Sequence, residues 1–159
     1  MKNHAEQARE LFEQGYNCAQ AVFAAFLDET GMELETALKL AAPFGGGIGR
    51  LREVCGAVSG MAMAAGMKYG YTDPKDDAAK IEHYRLIQSL VNTFKERHGS
   101  FICRDLLGLD GAGNPIPEKR TQQYYDTRPC PALVFSAAQI LDDLIQSCQN
   151  HGECDHNHE

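Results

Sequence analysis

The sequence predicts an all-α protein, a single-domain helical bundle of about six helices, on three observations. Apolar residues recur three and four positions apart through most of its 159 residues, the spacing that places them on one helical face. Residues that start and stop helices bracket these stretches in the right order. Alternating runs rich in β-branched residues, which mark strands, are nearly absent.

The first predicted helix covers residues 4–14 and stops near Gly15. Asn17 is a good N-cap for a second, which carries Ala21, Val22, Ala25 and Phe26 and ends at Gly31. Leu34, Ala37, Leu38 and Ala41 form a third stripe, broken by Pro43. After the loop Gly45-Gly46-Gly47-Ile48-Gly49-Arg50, a fourth helix is expected from about Leu51 to Lys68. The fifth is the clearest, with Asp73 as cap and Pro74 at its first position. Its stripe is Ile81, Tyr84, Ile87, Val91 and Phe94; Lys95, Arg97 and His98 fill its last turn, before Gly99. A short helical turn follows Phe101, then a connection over 108–117. Pro131 opens the last helix, with Val134, Ala137, Ala138, Leu141, Leu144 and Ile145 on its stripe.

Residues 1–148 thus make one helical domain, and 149–159 a polar His/Cys tail expected to be mobile. A net charge of -7 disfavours nucleic acid or anionic membrane as the main partner, since both are polyanions. The longest uncharged apolar run, Val54–Met67, is 14 residues, shorter than the roughly 20 needed to span a bilayer. The N-terminus carries no apolar core of the signal-peptide kind, so a cytoplasmic protein is expected.

Six cysteines are the chemical signal. In a reducing cytosol cysteines in such numbers serve as ligands or redox groups more often than as structural disulfides, although any single one is more often a small buried hydrophobe. Cys18, Cys55, Cys103 and Cys130 all project to helix N-termini. There the dipole and unpaired amides favour a thiolate and can donate hydrogen bonds to cluster sulfur. Their spacing is not diagnostic: without a Cys-x-x-Cys there is no zinc ribbon, ferredoxin loop or thioredoxin motif. Gly56, Gly60 and Ala64 leave one face of the fourth helix almost bare, which suits close helix packing, room for a bulky group beside Cys55, or a dimer interface.

Cys18, Cys55-Gly56-Ala57-x-x-Gly60, Cys103 and Cys130 resemble, in order and context, the signature of the C_GCAxxG_C_C family of redox-active proteins. Gly15-Tyr16-Asn17-Cys18 and Arg128-Pro129-Cys130 fit as well, and the likeness runs over about residues 10–145. Part of split-Soret cytochrome c is similar to this family and holds an iron–sulfur cluster. The resemblance therefore implies a cysteine-ligated [2Fe–2S] or [4Fe–4S] cluster on Cys18, Cys55, Cys103 and Cys130. Without a Cys-x-x-Cys-His, it implies no haem.

Three functions compete: an electron carrier or redox sensor with such a cluster, a metal-free thiol–disulfide oxidoreductase, and a structural zinc protein. The redox partner protein is not legible. Cys148, His151, Cys154, His156 and His158 in the tail are secondary candidates for a metal site. Arg50 and Arg52 offer contacts to an anion, but their loop fits neither phosphate-binding pattern, and an ordinary tight turn is the expected role.

Overall fold

The computed structural model describes residues 3–152, and in it side-chain caps begin the helices the sequence marks most strongly. Asn3 accepts the Glu6 amide at 2.7 Å and starts α1 (His4–Glu13). Asn17 starts α2 (Cys18–Ala25) with a reciprocal capping box to Gln20. The chain kinks at Phe26, so the expected single helix to Gly31 is two, the second being α3 (Leu27–Thr30). Glu33 caps α4 (Leu34–Ala41), and Pro43 sits in the 3-10 turn that follows. Then come α5 (Gly56–Tyr69), α6 (Asp77–His98), α7 (Cys103–Leu107), α8 (Gln122–Thr127) and α9 (Cys130–His151). Six of the nine helices among the described residues have seven or more residues, and no sheet forms among them.

α2 packs on α1, α5 and α9, while α1 lies along α9. Phe12, Val22, Phe23, Phe26, Met61, Phe94, Val134 and Leu141 fill the space between them and are fully or almost fully buried. Gly56 and Gly60 make the α2–α5 approach possible. A Cβ on Gly60 would lie 2.7 Å from the Ala19 carbonyl oxygen, and one on Gly56 3.0 Å from the Cys18 Cβ. The bare face of α5 is therefore taken up by α2 of the same chain. No helix of the described residues is long and apolar enough to cross a membrane.

Further expectations change. The fourth helix starts at Gly56 rather than Leu51, because Arg50 and Arg52 hold left-handed backbone (φ 67 and 62) and Val54 instead bridges to Ile102. The cap of α6 is Asp76, which accepts the Ala79 amide; Asp73 and Pro74 belong to the preceding turn. Burial along the predicted α6 stripe rises toward its C-terminal end: Phe94 is buried and Ile87 and Val91 are half-buried, whereas Ile81 and Tyr84 stay about half exposed; Leu90, off that stripe, is buried as well. The short helix α8 lies in a stretch whose polar residues show no apolar period.

His4 ties α1, α3 and α9 together at Asp142, past the middle of α9. Its ring bonds Asp142 through Nδ1 and Asp28 through Nε2 at 2.8 Å, and its amide donates to Asp142 at 3.2 Å. Burial alone would lower its pKa, but the two carboxylates outweigh burial and raise it above the ordinary 6.5. A raised folded-state value means the clamp stabilises below about pH 6.5 and weakens as pH rises through that folded value. His4→Ala is therefore expected to lose about 1–3 kcal/mol at pH 5.5. Urea titrations at several pH values should show the gap to the parent narrowing above neutrality; a gap independent of pH removes the charge from this account.

Candidate functional site

Cys18, Cys55, Cys103 and Cys130 line one cavity of about 410 Å³ at the end of the bundle opposite His4. Each sits at a helix start: Cys18, Cys103 and Cys130 are the first residues of α2, α7 and α9, and Cys55 is the N-cap of α5. Four helix N-termini thus converge on one volume, whose positive dipole ends favour anionic occupants. All four cysteines are free; Cys55, Cys103 and Cys130 are buried and Cys18 is half-buried.

Local hydrogen bonding brings distant cysteines together. The Cys55 amide donates to Phe101 O at 2.9 Å and the Cys103 amide to Glu53 O at 2.6 Å, on either side of the Val54–Ile102 bridge. The glycine loop holds this pair from beneath, as the Arg52 and Glu53 amides donate to Gly46 O and Gly47 O. Gly47 has φ 71, and a Cβ there would lie 2.8 Å from that of Cys103. Asn17 anchors the other side by donating to Ala42 O at 3.1 Å, with Gly45 packed against its side chain. Asn17→Ala is expected to cost about 0.5–2 kcal/mol through the lost cap. It should also free Cys18, and faster alkylation of that thiol in the folded protein would show this; an unchanged rate means the loop alone positions α2.

The cavity wall is cationic. Arg50, Arg52, Arg120 and Arg128 line it, opposed among its lining residues by Glu118 alone, which pairs with Arg128. Arg120 lies 4.2 Å above the Phe12 ring and donates to Phe12 O and Tyr16 O, closing the C-terminal end of α1. Arg52 is almost fully buried and points Nη1 at Cys103 Sγ, 3.6 Å away. The arginines after residue 117 were not anticipated as site residues. They lie on α8 or its flanks, and the one available signal was Arg128 beside Pro129-Cys130.

Burial reverses part of the expected thiolate chemistry. Desolvation pushes the Cys55 thiol up to about 12, against the pull of the Ala57 and Val58 amides. Desolvation also raises Cys103, although Arg52 pulls the other way. The Cys18 thiol donates to the Cys130 sulfur, which raises Cys18 and lowers Cys130. Burial thus outweighs the helix amides at Cys55, and of the four only Cys130, which accepts from Cys18 and faces Arg128, Arg120 and Arg52, lies below its ordinary range. Desolvation pushes Tyr124, beside Cys130, up to about 12 as well.

Of the tail candidates, Cys148 and His151 belong to the last turns of α9, away from the cavity. Cys154, His156 and His158 lie outside the described residues.

The sequence model of the family described as "Putative redox-active protein (C_GCAxxG_C_C)" matches residues 16–144. No curated protein and no solved structure matches the chain.

Proposed function

The chain belongs to the C_GCAxxG_C_C family, and from that premise we propose that it is a redox protein binding an iron–sulfur cluster through Cys18, Cys55, Cys103 and Cys130, in electron transfer or redox sensing. The observation that carries this reading is the convergence of four free cysteines, each at a helix start, on one arginine-lined cavity. The donor set fits: four sulfurs, no carboxylate or imidazole among the lining residues but Glu118, and glycines where a Cβ would crowd Cys18 or Cys103. When bound, the cluster supplies one-electron chemistry. The chain's own part is to hold the thiolates, direct the Ala57 and Val58 amides at the Cys55 sulfur, and place positive charge around the four.

Iron and acid-labile sulfide analysis of anaerobically prepared protein tests the assignment. Iron with matching sulfide, and visible charge-transfer absorption, is the expected result. Stoichiometric zinc without sulfide overturns it.

One observation favours a second reading. The Cys18–Cys130 contact, with one thiol raised and the other lowered, suits a dithiol that exchanges with a disulfide. Metal-free protein as isolated, with a reversible Cys18–Cys130 disulfide by mass spectrometry, would select it.

A further inference from the structure

Arg52 is buried without a counter-ion among the described residues. Its side chain is 5% exposed, Nη1 faces Cys103 Sγ, and Nε has no hydrogen-bond partner. The neighbouring carboxylates are engaged elsewhere: Glu118 pairs with Arg128, and Glu53 with Arg104. A buried, unpaired guanidinium is strongly unfavourable unless an anion sits beside it. The chain nevertheless fixes it there. Arg52 adopts left-handed backbone, its amide is bound to Gly46 O and its carbonyl accepts the Arg104 amide, so the backbone that carries the side chain is held in place by the loop.

We propose that Arg52 is the built-in counter-charge of the cysteine centre and that it raises the reduction potential of that centre. This rests on the cluster reading above. A thiolate-ligated cluster is net anionic and gains further negative charge on reduction. A fixed cation in a low-dielectric wall therefore stabilises the reduced form more than the oxidised one. A hydrogen bond from Nη1 to a ligating sulfur acts in the same direction. Arginine suits the position because it stays protonated when buried and is more weakly hydrated than lysine. Arg50, Arg120 and Arg128 add to the same field, and Glu118 opposes it. Arg52 is thus a positioning and tuning residue, and the loop that seemed an ordinary turn is what delivers it.

The experiment compares reconstituted parent, Arg52→Gln, Arg52→Lys and Glu118→Gln proteins by iron and sulfide content, then by mediator-linked redox titration. The midpoint potential is expected to fall in Arg52→Gln, to recover in part in Arg52→Lys, and to rise in Glu118→Gln. A parent without iron and sulfide overturns the cluster reading and this proposal with it. A loaded parent whose Arg52→Gln variant is loaded and titrates unchanged overturns this proposal alone. If Arg52→Gln cannot hold a cluster, Arg52→Lys decides: a midpoint below the parent's supports the role of the guanidinium, and an unchanged or higher midpoint overturns it.

Discussion

Replacing Cys55 by serine is expected to abolish cluster loading while leaving the helical fold intact. Cys55 is the N-cap of α5, with the Ala57 and Val58 amides directed at its sulfur. Serine is among the best N-cap residues, so its hydroxyl can accept one of those amides and hold the start of α5. The folded metal-free variant should therefore match the metal-free parent to within about 1 kcal/mol. Serine is a much poorer ligand for iron than a thiolate, and the loss of even a supporting group typically costs about 10–100-fold in metal affinity. Anaerobic iron and sulfide analysis should show the loss, and circular dichroism melts should show the retained fold. Iron content equal to the parent removes Cys55 from the site. A variant that fails to fold would mean that the sulfur itself packs the α2–α5 contact.

The second large effect is expected at Gly47. Its φ of 71 is left-handed, which costs an L-residue about 1–2 kcal/mol. An added Cβ would also lie 2.6 Å from the Glu53 amide nitrogen and 2.8 Å from the Cys103 Cβ, neither the end of a flexible chain. Overpacking of this kind typically adds about 1–3 kcal/mol, so Gly47→Ala should lose about 2–5 kcal/mol in all. The damage should not stop at stability. The same loop segment holds Arg52 and aligns Cys55 with Cys103 through the Val54–Ile102 bridge. Urea unfolding combined with reconstitution should therefore show both a lower midpoint and reduced iron uptake. Gly49→Ala is the internal comparison, because its Cβ would meet nothing within 4 Å although φ is 54. If the two variants behave alike, backbone strain rather than crowding at Cys103 is the cause.

Much of the scaffold was legible because helix starts and stops are local. Asn17 needs only Gln20 to declare the start of α2, and Gly99 only its left-handed conformation to end α6. Where a start depended on distant partners, local reading failed. Leu51–Cys55 carries apolar residues that suit a helix, yet it pairs with residues near Ile102, about fifty positions away, and the left-handed Arg50 and Arg52 forbid the helix. α8 and its flanking arginines were missed because their role is to cover the cavity, and cation–aromatic stacking leaves no periodic trace in sequence.

The sequence by itself determined that this protein is helical, and that four of its cysteines fall at or near helix starts, because both follow from caps, breakers and short-range periodicity. Only the tertiary structure decided that those four starts face one cavity, since their meeting depends on how α2, α5, α7 and α9 cross. It also decided the protonation of the thiols, because burial and neighbouring charge, not position in a helix, set the balance there. The arginine wall belongs to the same category: a guanidinium's surroundings are assembled from four distant stretches of chain and exist only once the bundle has closed.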